Sequence, residues 1–275
     1  MRAVLLLAAV MPLLAAPDAR DIIRRATEAD QHNEELSRNY TFVQRVNKRT
    51  LNSDGSVKRT EIRTYDVTLS EGTPYRRLIA IDDKPLPPDR ERTEQGKLQK
   101  SIEERRRESA QQRAKRIAQW EKDRQKDREF VNELLEAMDF RVTGEEVIAG
   151  RKTWVVSATP HPGYRPKSME TKFLVKMRGR TWIDETDYMA ARIEAEAVDD
   201  ISMGFFLAKV SKGSRFYIDQ TRVNGEVWLP QRIAGQISAR LLVVRFRQSF
   251  DMTFKDFRKF QVESHIVAAG EEQNH

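Results

Sequence analysis

Residues 171–260 alternate apolar and polar side chains in segment after segment, with Gly, Pro and Asn as punctuation, and no other feature of the chain narrows its fold as far. Successive residues of a strand point to opposite faces, so an alternating segment has one wet face and one apolar face. The clearest examples are Phe173-Leu174-Val175-Lys176-Met177, Ile193-Glu194-Ala195-Glu196-Ala197, Phe216-Tyr217-Ile218-Asp219 and Phe250-Asp251-Met252-Thr253-Phe254. Strands are predicted at 141–148, 153–159, 173–177, 182–184, 190–198, 205–210, 215–222, 227–233, 237–247 and 250–257. Their short spacing predicts an up-and-down antiparallel sheet, which must curl as it widens.

Upstream, Asp21 reads as the cap of a helix over 21–38, with Ile22, Ile23, Ala26, Ala29 and Leu36 as its apolar stripe. Strands at 40–46 and 57–69 flank an Asp54-Gly55 turn, and a third runs over 75–81 until Pro85, Pro87 and Pro88 end the pairing. From Asp89 to Asp139 Glu, Lys, Arg and Gln dominate and Gly96 is the only glycine or proline, which predicts a long charged helical insertion. Ile117, Trp120, Val131, Leu134, Leu135 and Met138 recur near helical spacing. The second half is therefore expected to dock on the sheet while 89–112 projects or packs loosely. Arg105-Arg106-Arg107 sits among mixed charges and reads as a solvated helix face. Pro160-His161-Pro162-Gly163-Tyr164-Arg165-Pro166 is a loop, and the polar tail 267–275 is expected to fray.

Met1-Arg2, the apolar run from Ala3 to Leu14 and the small residues after it fit a secretory signal peptide within 1–19, cleaved after Ala15, Ala16 or Ala19; the run is too short to span a bilayer. The remainder, 20–266, reads as one domain with 89–139 inside it. With 0 Cys the fold has no disulfides and no cysteine for lipid attachment, which suits the periplasm of a diderm bacterium. A net charge of +7 and 33% charged residues would suggest nucleic acid, but the export signal argues against it. Interspersed charges favour solubility, with peripheral contact to an anionic membrane as the other use of a basic surface.

Chemistry is sparse. His32, His161, His265 and His275 have no partner at metal-ligand spacing, so neither metal nor cofactor is expected. No nucleophile elbow, phosphate-cradling loop or dinucleotide fingerprint occurs, and no catalytic residue is assigned. Asp184-Glu185-Thr186-Asp187 offers carboxylates for acid/base pairing, but Asp and Thr in a short connector are read as turn formers, as is Asp199-Asp200. Phe205 and Phe206, adjacent on a strand, must face opposite ways.

The segments Arg180-Thr181-Trp182-Ile183-Asp184, Ala191-Arg192-Ile193-Glu194-Ala195-Glu196, Phe216-Tyr217-Ile218-Asp219-Gln220 and Val227-Trp228-Leu229-Pro230 form a series that resembles the LolA-like superfamily of outer-membrane lipoprotein-sorting proteins. That resemblance, over about residues 20–260 in element order, implies an α+β fold: a curved antiparallel half-barrel of about eleven strands, covered by helices, around a hydrophobic cavity for acyl chains. It implies a non-catalytic periplasmic carrier of lipoproteins, lipids or other hydrophobic ligands. The long segment 89–139 departs from a short carrier, and the architecture is also similar to periplasmic regulators that sense envelope components through a partner protein. An envelope hydrolase is the third class. Phe173, Val175, Met177, Ile193, Phe216, Ile218, Val244, Phe246, Met252 and Phe254 are expected to line the concave side, with helices at 21–38 and 113–138 as plug or lid. Each acyl methylene buried there contributes about 0.8 kcal/mol. The competing expectation is that the helices fill the hollow and these ten residues are ordinary core.

Overall fold

The computed structural model describes residues 17–70, 73–167, 171–203, 208–241 and 244–259. The segment before residue 17, where the sequence reads as an export signal, and Phe205-Phe206, His265, His275 and the tail lie outside the described residues.

Helix α1 (Ala19–Ser37) starts two residues earlier than its sequence reading, because Asp18 rather than Asp21 is the cap: the Asp18 carboxylate accepts the Arg20 N–H at 3.0 Å. Ala19 is buried in the core, so of the three cleavage points read from the sequence, those after Ala15 and Ala16 keep the helix start intact. Strands β1 (Tyr40–Leu51), β2 (Val57–Ser70), β3 (Thr73–Ile81) and the short β4 (Lys84–Pro85) form an N-terminal meander. Two helices follow, α2 (Pro88–Arg106) and α3 (Ala110–Ala137). The remaining strands are β5 (Met138–Ile148), β6 (Arg151–Pro160), β7 (Met177–Asp184), β8 (Ala190–Ala197), β9 (Ile201–Met203), β10 (Ala208–Val210), β11 (Arg215–Val223), β12 (Val227–Leu241) and β13 (Val244–Lys259).

All pairings between these strands are antiparallel, in one open sheet of 13 strands ordered β4-β3-β2-β1-β13-β12-β11-β8-β7-β6-β5, with β9 and β10 attached beside β12. β4 lies at one end of that path and β5 at the other, so the chain between them has to travel from edge to edge. Ten interstrand steps of about 4.8 Å span about 48 Å if laid flat. The 28 residues of α3 cover about 42 Å of that at about 1.5 Å per residue. What reads in sequence as an insertion is thus the crossover that joins the two edges.

The crossover is broken, not continuous. Ser109 caps α3 in a capping box with Gln112, and Met138, read as helical, is already the first residue of β5. α2 buries no residue, as expected of a charged helix, yet its far end is anchored. Arg105 donates to the carbonyls of Ser70 and Thr73 at 2.8 and 3.2 Å and stacks over Tyr75. Arg116 pairs with Glu108 at 2.8 Å and donates to the Thr73 hydroxyl at 2.8 Å. Arg105 is therefore a clamp on the β2–β3 turn and not part of a solvated face.

Two further expectations are overturned. Residues 173–177 do not form a strand: Thr171–Lys176 is a 3-10 helix and only Met177 begins β7. Leu174, 2% exposed, drops between Ala137 and Met138, and that anchor twists the segment out of the pleat. Gly235, read as a break between two strands, is in the middle of the 15-residue β12. A Cβ there would meet the Phe250 ring at 2.6 Å and the Arg215 carbonyl oxygen at 2.9 Å. The glycine makes room for an aromatic ring across the strand pair.

The two faces of the sheet follow from register. Val156 opposes Thr181, which opposes Ile193; Ile193 opposes Ile218, then Ile233, then Met252, then Val46. Val156 packs against Ile22 and Ile23, so this row lies on the face that carries α1. The opposite face carries cross-strand ion pairs: Arg178–Glu196 at 2.9 Å, Arg180–Glu194 at 2.8 Å, Arg192–Asp219 at 2.6 Å and Arg232–Asp251 at 2.6 Å. Such exposed pairs each add little stability, but a slip of one residue would put every one of them on the apolar side, so they fix register.

Gly235→Ala is expected to lower unfolding free energy by about 1–3 kcal/mol in urea titration, because the added methyl overfills the site beneath Phe250. Gly96→Ala, on exposed α2 with nothing within 4 Å, is expected to be neutral or stabilising by up to about 1 kcal/mol. Equal effects from the two would contradict the packing role given to Gly235.

Candidate functional site

Eight of the ten residues expected to line the hollow share the α1 face. Met177 opposes Ala197, Ile193 opposes Ile218, Phe216 opposes Gly235, and Val244, Phe246, Met252 and Phe254 alternate along β13 with the same parity. Phe173 and Val175 are not on a strand. Phe173 instead joins the cluster of Ala137, Met138 and Leu174 where the end of α3 meets the sheet. Three residues that complete the face were not singled out as lining: Ile233, Ile237 and Phe250. Their signal was present, because Ile233-x-Gly235-x-Ile237-x-Ala239 is an unbroken alternation once Gly235 is allowed inside the strand.

Ile193, Phe216, Ile218, Ile233 and Met252 are half-buried, and none belongs to the buried clusters among the described residues. Those clusters lie elsewhere. α1 rests its first turns on Val156 and Ile183, with Phe140, Val142 and Trp154 around them. Its last turn, through Leu36, meets Tyr40, Val227 and Leu229. Asn33 holds the helix to β12 at two points, donating to the Trp228 carbonyl at 2.8 Å and accepting the Trp228 N–H at 2.7 Å. α3 is tied to α1 at both ends, by Arg20 donating to the Leu135 carbonyl at 3.1 Å and by Arg38 against Glu121 at 3.0 Å and the Trp120 ring. The helices are thus fixed beams across one part of the face. The middle of the face keeps apolar side chains that its own core does not consume.

The acidic connector is a structural lock. Asp184, 1% exposed, accepts two bonds from the Arg151 guanidinium at 2.6 and 2.7 Å and the N–H groups of Thr186 and Asp187 at 3.0 and 2.8 Å. Asp187 in turn faces Arg151 at 3.0 Å, Arg222 at 3.1 Å and the Trp228 indole N–H at 2.9 Å. Burial pushes the Asp184 carboxyl up, but the Arg151 hydrogen bonds, the two backbone N–H groups and the Arg151 charge outweigh it and hold the group below its ordinary value. The lock ties the β7–β8 turn to the β12 end beneath α1. Asp199 and Asp200 likewise serve the next connector, on Lys176 at 3.0 Å and Lys209 at 2.7 Å.

His161 pairs with Asp139 at 2.8 Å on the surface, and no group of three or more His, Cys, Asp or Glu among the described residues is placed to hold a metal ion. No helix among the described residues is long and apolar enough to cross a membrane.

No protein-family model and no curated protein matches the sequence. Solved structures similar to the chain include an outer membrane lipoprotein-sorting protein domain from Vibrio parahaemolyticus, at 11% identity over 91% of this chain and 95% of that one, TM-score 0.35. A LolA superfamily protein from Nitrosomonas europaea is 13% identical over 90% and 95%, TM-score 0.32. The Mycobacterium tuberculosis lipoprotein LppX is 12% identical over 88% and 96%, TM-score 0.29. The first two carry the names that the sequence motifs suggested. At such TM-scores the likeness carries no argument about ligand or activity, and the architecture rests on this chain's own strand pairing.

Asp184→Asn is expected to cost about 1.5–3 kcal/mol at neutral pH, since it removes the buried charge that accepts two Arg151 hydrogen bonds and leaves Arg151 with Asp187 alone. Because the folded carboxyl titrates below its unfolded value, its contribution is full above about pH 4 and fades as pH falls through the lowered value. Urea midpoints measured from neutral to acid pH should therefore show a smaller acid loss in the variant than in the wild type. Parallel pH profiles would contradict this role for Asp184.

Proposed function

We propose that the chain is a non-catalytic envelope carrier that binds the acyl chains of lipids or lipoproteins on the helix-bearing face of the open sheet. The observation that carries this reading is the row Ile193, Ile218, Ile233 and Met252 with Phe216 and Phe250 beside it. It is one contiguous apolar surface, half-buried, and separate from the clusters that hold the helices down. An apolar face left over after the core is built is a binding surface for apolar matter. The reading of residues 1–19 as an export signal supports a periplasmic setting for this work. Among the described residues the Gln44 amide reaches the row, donating to the Met252 sulfur at 3.7 Å, and the apolar make-up of Ile193, Ile218, Ile233 and Met252 themselves fits a cargo recognised by burial. Exposed α2 carries no buried residue and no apolar stripe, so it lends no weight to the reading of a partner-docking regulator.

A fluorescent fatty-acid probe tests this. Displacement by saturated fatty acids should strengthen about fourfold for each added methylene while the chain still fits, the equivalent of about 0.8 kcal/mol. Ile218→Asp and Met252→Asp should each weaken probe binding by about tenfold or more, with circular dichroism unchanged. Tyr217→Asp, one position along β11 and on the ion-paired face, should leave it intact. Equal loss from Tyr217→Asp and Ile218→Asp, or no binding by wild-type protein, would overturn the proposal.

A further inference from the structure

Over much of the ion-paired face of the sheet, cations are neutralised pair by pair. Arg178, Arg180, Arg192 and Arg232 each meet a carboxylate on a neighbouring strand at 2.6–2.9 Å. One block of the same face breaks this rule. Lys209 of β10 opposes Arg240 of β12, and Arg240 opposes Arg245 of β13, so three cations stand side by side in one cross-strand row. Arg240 and Arg245 lie an odd number of residues from Ile233 and Met252, which puts the row on the side away from α1. Like charges directly opposite one another cost stability. Strand pairing by itself gives no reason to keep them.

The neighbours of the row add donors and little acid. Arg247 comes next along β13 on this face, opposite Ser238, and Ser249 follows, opposite Gln236 on one side and Arg49 on the other. Arg49, Arg240 and Arg245 are exposed and have no ion pair among the described residues. Two carboxylates are close, and both are engaged. Asp200 is taken by Lys209 at 2.7 Å and by the Lys212 N–H at 2.8 Å, and Asp54, near Arg247, is bound into its own turn by Ser56 at 2.7 Å. The connecting segments 204–207 and 242–243, Gly-Phe-Phe-Leu and Leu-Val in sequence, contain no acidic residue. Lys209, Lys212, Arg240, Arg245 and Arg247 border one depression of about 480 Å³.

We infer that this block is a binding site for a phosphate-bearing ligand, held by Arg240 and Arg245 together, with Lys209 and Arg247 at its edges. Cross-strand neighbours are about 5 Å apart and alternate residues along a strand about 6.7 Å apart. One tetrahedral oxyanion can therefore take hydrogen bonds from Arg240 and Arg245 at once, and a second group can reach Arg247 and Ser238. Guanidinium forks suit phosphate oxygens, which accept from several directions and, when ionised, donate nothing. An acidic peptide fits less well, because its backbone N–H groups would meet a surface that offers mostly donors. The site lies across the sheet from Ile193, Ile218, Ile233 and Met252. It goes beyond the carrier reading and does not depend on it.

The test is calorimetric titration of the full mature chain with inorganic pyrophosphate. Binding is expected, and it should weaken as salt is added. Arg240→Gln with Arg245→Gln should weaken it about a hundredfold, from about tenfold for each charge-assisted contact removed. Without ligand, the same double variant should unfold at an equal or higher urea midpoint, because the row of like charges is gone. Removing equal charge from α2, by Lys97→Gln with Lys100→Gln, should leave binding near the wild-type level. Vesicles of equal parts phosphatidylglycerol and phosphatidylethanolamine identify the source of the phosphate. Displacement of pyrophosphate by the vesicles assigns the site to a lipid headgroup, and no displacement assigns it to a soluble phosphorylated ligand. No pyrophosphate binding by wild type, equal loss from the α2 variant, or tighter binding of a short glutamate peptide of the same net charge would overturn the inference. Ile218→Asp should bind pyrophosphate as wild type does, and the arginine double variant should keep fatty-acid probe binding, so each proposal can fail without the other.

Discussion

The antiparallel pairing of β1 with β13 joins what would otherwise be two separate meanders. Eleven residues of β1, from Tyr40 to Leu51, find partners on β13 between Lys259 and Arg247. That ladder makes β4 and β5 the two outer edges, and so forces the chain between them to cross the whole sheet. The length and helical character of residues 88–137 follow from that geometry. The ladder also carries one side-chain parity across the junction, so that Val46 continues the apolar row of Ile193, Ile218, Ile233 and Met252. A single apolar face wider than α1 can cover is the outcome, and the proposed function depends on it.

The opposite face explains why the apolar side chains stay where they are. Arg180–Glu194, Arg192–Asp219 and Arg232–Asp251 couple neighbouring strands, and each pair is stable only if the wet face remains wet. Individually such pairs contribute about 0–1 kcal/mol. Collectively they make a register slip costly, because it would bury several charges and expose several apolar residues in one step. At the α1 end the Arg151–Asp184–Asp187 lock and the Asn33 clamp fix the helix without filling the middle of the face.

Most of the strands were legible because alternation is a local property. The failures share a cause in contacts that are distant in sequence. Phe173 to Lys176 alternates as a strand does, but Leu174 is taken by the end of α3, and the backbone tightens into a 3-10 helix. Gly235 looks like a break, and only the Phe250 ring opposite shows why a strand keeps it. The β12–β13 connection at Leu242-Val243 has no turn residue to announce it, so two strands were divided in the wrong places. Of the lining set, Ile193, Phe216, Ile218 and Met252 were readable from parity alone. Ile233, Ile237 and Phe250 were hidden by the misplaced breaks. The crossover role of α2 and α3 was not readable at all, since it depends on which strand lies at which edge.

Native mass spectrometry of the protein exported into and purified from a bacterial periplasm, followed by solvent extraction, tests the central claim most directly. The account predicts a stoichiometric mass increment that is released by solvent as acyl-chain lipid, and that is absent from Ile218→Asp. A protein of bare polypeptide mass that also takes up no fatty acid on incubation would contradict it.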